Sequence, residues 1–209
     1  NNIEILKSVL KAENQGFDGV CISCFLDPSL YEARQLLKIP VTAIAEASMH
    51  LASLMGSRFA IITKDVHFIR PMEANIYRYG LEGKAIKRNP VRVLTLPEDK
   101  LSPIEQAIFD GAPRDYSPLV ENFTEVARGC IEDGAEVLIM GCGLLSPALT
   151  EAGLLEVDHA PLVEPNHASL KLTEALVDLR KAGIPFVSRK SLFLDVPPQH
   201  IADVLASRK

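Results

Sequence analysis

Cys24 and Cys142 occupy matching places in two stretches of this 209-residue chain. GFDGVCISCF spans residues 16–25 and GAEVLIMGCG spans 134–143. In each, a Gly ends a helix, an acid follows two residues on, an apolar strand runs, and a Cys stands eight residues past the Gly. In open parallel sheets ligands sit beyond the carboxyl ends of the strands, where both thiols fall. Two thiols on opposite sides of one cleft suit stereoinversion at an acidic carbon: one removes a proton and the other returns one to the far face. A helix N-terminus beside each Cys is expected to lower its pKa toward neutrality. The N–H groups of Phe25 and Gly143, with the Thr63 and Ser146 hydroxyls, are candidates for binding the enolate-like oxygen that develops.

Three other readings compete. Free cysteines are most often small core residues, and it is the repeat that sets this pair apart. Cys21-x-x-Cys24 also has the spacing of a redox pair, but such a pair puts its second Cys in the first turn of a helix. Here Asp27-Pro28 places that turn beyond both. A zinc site needs further ligands at short spacing, and no second C-x-x-C or His pair supplies them. No metal site is expected, and Cys21 and Cys130 read as structural. Lys64, just after a strand, is a pocket-lining candidate. Glu46 and His167 stand six residues after Pro40 and Pro161, each ahead of a helix, where either could orient a thiol or a substrate group. His50, His67, His159 and His200 have no partner evident in the sequence.

The elements that must position these groups alternate between helix and short apolar strand. Helices are expected over Ile3–Asn14, from Asp27-Pro28 to Leu37, and over Ala47–Met55, Phe68–Tyr79 and Ser117–Asp133. Two more run from Ser146-Pro147 and over Ala168–Lys181. Strands are expected at Gly19–Cys24, Val41–Ile44, Phe59–Thr63, Val91–Leu96, Val137–Gly141 and Leu162–Val163. Asp27 and Ser146 read as N-caps with Pro in the first turn. Pro97–Tyr116, with three prolines and Gly111, reads as irregular. Repeated βα units imply a mainly parallel sheet flanked by helices. The repeat continues from Pro40-Val41 to Ala47-Ser48-x-x-Leu51, and from Pro161-Leu162 to Ala168-Ser169-x-x-Leu172. We therefore expect two pseudo-symmetric α/β lobes, residues 1–56 with 170–209 and residues 57–169, with the site in a cleft between them.

A net charge of −5 leaves no basic stripe for nucleic acid. The apolar runs are strand-length, so no membrane span is expected, nor does a signal-peptide pattern open the chain. Four cysteines, two of them in apolar strands, do not form a secreted disulfide framework, which points to a reducing cytoplasm.

C-F-x-D-P at Cys24–Pro28, Ile44-Ala45-Glu46-Ala47 and Met49-His50-Leu51-Ala52 resemble the aspartate/glutamate/hydantoin racemase superfamily, most closely the hydantoin and allantoin racemases. Phe59–Thr63, Arg78-Tyr79-Gly80-Leu81 and Gly134-Ala135-Glu136 through Gly141-Cys142-Gly143 extend the likeness over most of residues 16–170. The resemblance implies an isomerase: a cofactor-independent, two-cysteine racemase of a small hydantoin-like or amino-acid-like molecule, often a homo-oligomer, with Cys24 and Cys142 as its catalytic pair. Members usually open with a strand ending in an Asn-Pro-Asn-like segment, and this chain starts after it. Lys64 stands where hydantoin racemases tend to have a second Thr. A related isomerase, such as one acting on maleate through thiolate attack, and a non-catalytic small-ligand binding protein are the alternative expectations.

Overall fold

The computed structural model describes residues 2–112, 114–197 and 199. Pro113, Pro198 and residues 200–209, including His200 and the end of the C-terminal segment, lie outside them. The protein is α/β, with parallel sheets flanked by helices. Among the described residues no helix is long and apolar enough to cross a membrane.

The chain divides into two compact units, Asn1–Ile22 with Asp27–Ala43 and Leu170–Lys209, and Ser23–Leu26 with Ile44–Ser169. In the first unit α1 (Asn2–Asn14), β1 (Val20–Ile22), α2 (Leu30–Leu36) and β2 (Val41–Ala43) form a two-stranded parallel sheet with its helices. Val9, Ile22, Leu30, Ala33, Leu37 and Val41 make its core. Helix α2 does not start at Asp27-Pro28. Asp27 and Ser29 both take positive φ, 48° and 59°, so the segment is a turn, and Ser29 precedes the helix without a side-chain cap. Short polar side chains tolerate that conformation better than most.

The second unit is built from α3 (Ile44–Met55), β3 (Phe59–Thr63), α4 (Ile69–Arg78), β4 (Val91–Val93), α5 (Glu98–Asp110) and α6 (Ser117–Glu132). It continues with β5 (Val137–Met140), α7 (Ser146–Glu151), β6 (Glu156–Val157), β7 (Ala160–Val163) and the start of α8 (Pro165–Lys181). Its sheet order is β4-β3-β5-β7-β6, parallel except for β6. The central strands are buried on both faces, which is why they read as unbroken apolar runs. Phe59, Ile61, Val137 and Ile139 face one core with Ile44, Met49 and Met72. Ala60, Ile62, Leu138 and Met140 face the other with Leu119, Phe123 and Ile104. Each fully buried large side chain contributes about 1.5–3 kcal/mol.

The repeat is visible in backbone detail. Gly16 and Gly134 both take left-handed φ, 85° and 96°. In each, the glycine N–H donates to the carbonyl three residues back and the next N–H to the one five back, Phe17 to Ala12 and Ala135 to Cys130. This is a Schellman stop, which glycine adopts without a Cβ penalty. The stretch expected to be irregular instead contains α5. Leu101, Ile104 and Ala107 supply a buried helical stripe, and Gly111 closes the helix at φ 63°. That burial outweighs the hydrogen bond lost at Pro103, inside the helix.

Candidate active site

Strand β5 delivers Gly141-Cys142-Gly143 to its carboxyl end. The two glycines are there for close approach. A Cβ on Gly141 would stand 2.8 Å from Ile61 Cγ2 and 3.2 Å from Met72 Sδ. One on Gly143 would stand 2.8 Å from Ser23 Oγ, 2.9 Å from Ile44 Cδ1 and 3.2 Å from the Ser23 carbonyl oxygen. The second cysteine-bearing segment, residues 23–26, thus lies against Gly143, anchored by the buried ring of Phe25 in the core with Ile44, Ala45 and Met49. Cys24, Phe25, Leu26, Lys64, Phe68, Met72, Cys142 and Gly143 line one cavity of about 190 Å³.

Cys142 is mostly buried, and burial pushes its thiol above the ordinary value of 9.0. The N–H groups of Leu145 and Leu144 and the Lys64 ammonium pull the other way without overcoming it. The expected thiolate-favouring helix terminus is therefore present but outweighed. Helix α7 has only six residues, so its field is weaker than that of a long helix, while desolvation always penalises the charged form. Lys64 is itself ion-paired with Glu105 of α5. Burial favours its neutral form, but Glu105 and Cys142 more than compensate, so its pKa is raised and it stays an ammonium.

Behind Gly143 lies a polar cluster in which Ser146 and His167 are joined by two residues that the sequence did not single out, Glu164 and Asn166. Glu164, buried just past β7, accepts from Ser146 Oγ and from the N–H groups of Asn166 (3.1 Å) and His167 (2.6 Å), capping α8. Burial alone would raise its pKa, but these donors hold it below the usual glutamate value. The Asn166 side-chain N–H₂ donates to the Gly143 carbonyl at 2.9 Å and to Glu164 Oε1 at 2.9 Å, and stands 3.2 Å from Ser146 Oγ. Its Oδ1 accepts from Ser23 Oγ at 2.6 Å. Ser146 therefore precedes neither its helix nor the cavity as a cap: Leu145 holds the cap position and the Ser146 hydroxyl is turned to Glu164. The rule that picked out Cys24 and Cys142, position at a strand's carboxyl end, applies equally to Glu164.

The remaining candidates fall elsewhere. Thr63 is fully buried, and its hydroxyl finds no partner among the described residues. Glu46 is half-buried in the first turn of α3. The His167 ring is largely exposed, with Nδ1 2.5 Å from Glu164 Oε2. Three other histidines do have neighbours: His67 meets Asp65 at 2.7 Å, His159 meets Glu156 at 3.7 Å, and His50 lies beside the Tyr79 ring. Cys21 is bonded within β1's surroundings to Thr173 Oγ1 at 2.9 Å, with Thr42 Oγ1 at 3.7 Å. Cys130 is buried in α6 and its pKa is pushed up to about 11. A larger hollow of about 850 Å³ among α5, α6 and α7 is lined by residues such as Ile108, Tyr116, Val120 and Ala148. No cysteine, histidine or lysine is among its described lining residues.

The chain is 29% identical over 180 residues to a hydantoin racemase of Pseudomonas sp. (strain NS671), an overlap of 85% of this chain and 65% of that protein's length. It spans about two thirds of such curated relatives. Among solved structures it resembles an allantoin racemase from Klebsiella pneumoniae with a TM-score of 0.71 and 27% identity, covering 94% of this chain and 72% of that one. An allantoin racemase from Pseudomonas fluorescens, 20% identical, shares the fold with a TM-score of 0.69 over 94% of this chain and 77% of that one. The family model for Asp/Glu/Hydantoin racemase matches residues 1–173. The chain belongs to the Asp/Glu/Hydantoin racemase family.

Proposed function

We propose that the protein is a cofactor-independent racemase that inverts the acidic ring carbon of a hydantoin-like substrate, with Cys24 and Cys142 as its two acid–base groups. The observation that carries this reading is that both thiols line one cavity, at about 190 Å³ large enough for a small substituted ring. One cysteine, as thiolate, takes the proton from the carbon between ring carbonyl and ring nitrogen, becoming a thiol. The electron pair moves into the carbonyl as an enolate. The other cysteine, as thiol, gives its proton to the opposite face and becomes the thiolate. The product is the mirror image, and the two cysteines have exchanged protonation states. Burial favours the thiol form of Cys142, the form that donates a proton. Lys64, an ammonium on the cavity wall, faces the developing negative charge, where a preorganised cation acts in the transition state. Positioned proton transfer of this kind contributes about 10²–10⁴-fold in rate. Phe25, Leu26, Phe68 and Met72 favour an apolar substituent on the ring.

The similarity to hydantoin and allantoin racemases supports the substrate class. The test is incubation with enantiopure 5-methylhydantoin, and separately allantoin, in D₂O. Loss of optical rotation beyond the enzyme-free rate, with deuterium entering the inverted product, is the expected result. Neither exchange nor inversion for any hydantoin would overturn the reading, and cis–trans conversion of maleate would replace it.

A further inference from the structure

The two cysteine-bearing segments meet at Ser23 and Gly143, not at the thiols themselves. Their contact leaves no space for even a methyl group on Gly143. One side chain bonds to both. Asn166 accepts from Ser23 Oγ at 2.6 Å, one residue before Cys24, and donates to the carbonyl of Gly143 at 2.9 Å, one residue after Cys142. Its own orientation is fixed by Glu164, which takes the side-chain N–H₂ at 2.9 Å and the backbone N–H at 3.1 Å on the same oxygen. Glu164 is in turn buried and held by Ser146 and His167. The amide cannot rotate by half a turn without setting its oxygen against two acceptors, the Gly143 carbonyl and Glu164 Oε1, whereas the Ser23 hydroxyl could serve either orientation.

We propose that Asn166 is a positioning residue whose side-chain amide sets the register between the segments carrying Cys24 and Cys142. It lies outside the set of residues lining the cavity and does no chemistry itself. Its effect on rate rests on the racemase reading, whereas its effect on geometry does not. In a two-thiol reaction both sulfurs must reach one carbon, and a shift of about 1 Å in such an arrangement costs up to about 10²-fold. Ser23 is exposed; the buried Phe25 ring holds its segment in the core, and the Asn166 bond adds a directional tie to the Gly143 loop.

The experiment bridges the thiols chemically. Dibromobimane carries two alkylating arms and fluoresces strongly once both have reacted, and peptide mapping identifies the cysteines joined. The full chain should give a Cys24–Cys142 bridge. Asn166→Leu, of similar size but without hydrogen bonds, should form it about tenfold or more slowly, while single alkylation of each thiol by iodoacetamide stays within about threefold. Ser23→Ala breaks one link only, at an exposed position, and should give an intermediate loss with an unchanged melting temperature. It keeps the test alive if Asn166→Leu fails to fold. With 5-methylhydantoin the same variants should lose kcat with little change in KM. Equal bridging in the parent and variants, or no Cys24–Cys142 bridge in the parent, overturns the proposal whatever the activity. Bridging lost in the variants of a parent that racemises nothing upholds the positioning role and defeats the functional reading alone.

Discussion

Gly143 stands so close to Ser23 that a Cβ would come within 2.8 Å of the Ser23 hydroxyl and 3.2 Å of its carbonyl oxygen. The hydroxyl could swing aside only by leaving Asn166, and the carbonyl cannot move without its segment. Gly143→Ala should therefore displace the Cys24 segment. It should cost about 1–3 kcal/mol, the usual range for overpacking, and remove most activity. Thermal unfolding and a racemisation assay check it, and a variant with parental kcat would mean that the contact yields without cost.

Single-thiol variants separate the two half-reactions. Cys24→Ser and Cys142→Ser should each abolish inversion of both enantiomers, since a complete turnover needs an acid and a base. Each should still exchange the ring-carbon proton of the one enantiomer whose hydrogen faces the surviving sulfur, and the two variants should prefer opposite enantiomers. Enantiomers are equal in free energy, so kcat/KM must be equal in both directions for the parent. The asymmetry is therefore visible only in deuterium wash-in to the separated enantiomers of each variant. Substantial racemisation by either variant would remove its cysteine from the mechanism.

Lys64 and Glu105 should move Cys142 in opposite directions. The ammonium lowers the thiol's pKa and the carboxylate raises it, and thiolate is the form that alkylates. At neutral pH the thiolate fraction changes about tenfold per unit of pKa. Lys64→Met should slow the reaction of Cys142 with iodoacetamide and shift its pH profile upward. Glu105→Gln removes a nearby negative charge and frees the ammonium, so it should do the reverse. Shifts of the same sign in both variants would mean that the pair acts by packing alone.

Much of the architecture is legible in the sequence because it is set by local signals. The strand Phe59–Thr63 coincides with the expected one, and the helix from Ser117 ends one residue short of expectation. The two glycine stops that defined the repeat are Schellman turns in fact. Helix α5 was hidden because Pro97, Pro103 and Gly111 are strong breakers on a local reading, whereas its buried stripe of Leu101, Ile104 and Ala107 is decided by tertiary contact. The strand-end rule found Cys24, Lys64 and Cys142, which share a cavity. It applied equally to Glu164, whose capping bonds to the Asn166 and His167 N–H groups are local, but it did not reveal Asn166, whose side-chain bonds depend on how closely the loops at 23 and 143 approach. Nor could it give the direction of the Cys142 shift, where burial competes with two backbone N–H groups and a cation.

The other two cysteines differ from each other in surroundings and should differ in tolerance. Cys130 is fully buried among apolar side chains of the α6 face, and Cys130→Ser brings a hydroxyl there at a cost of about 1–3 kcal/mol. Cys21 already faces the Thr173 and Thr42 hydroxyls, so Cys21→Ser keeps a hydrogen-bonding atom in place. It should be nearly neutral in stability, contrary to the penalty expected for a purely apolar strand interior. Both variants should retain turnover. Loss of activity in a folded Cys21→Ser protein would revive a redox or metal role for the C-x-x-C pair.

Glu164 makes the stability depend on acidity. Burial opposes its charge, but the Ser146 hydroxyl and the Asn166 and His167 N–H groups hold its pKa below the ordinary 4.5 in the folded protein. A carboxyl with a depressed folded pKa stabilises fully above its unfolded value and loses that contribution as pH falls through the folded one. Glu164→Gln keeps the size but removes the charge that these donors and the α8 N-terminus favour. At neutral pH it should cost about 1–3 kcal/mol, the range for a hydrogen-bonded charged group losing its partners. The gap between parent and variant should be constant at neutral pH, begin to narrow near 4.5, and close further into acid. Urea unfolding of both proteins across that range measures it directly. A gap that stays constant below the ordinary glutamate value would mean that the carboxyl acts through shape rather than charge, and that the cluster behind Gly143 is not held by an ionised Glu164.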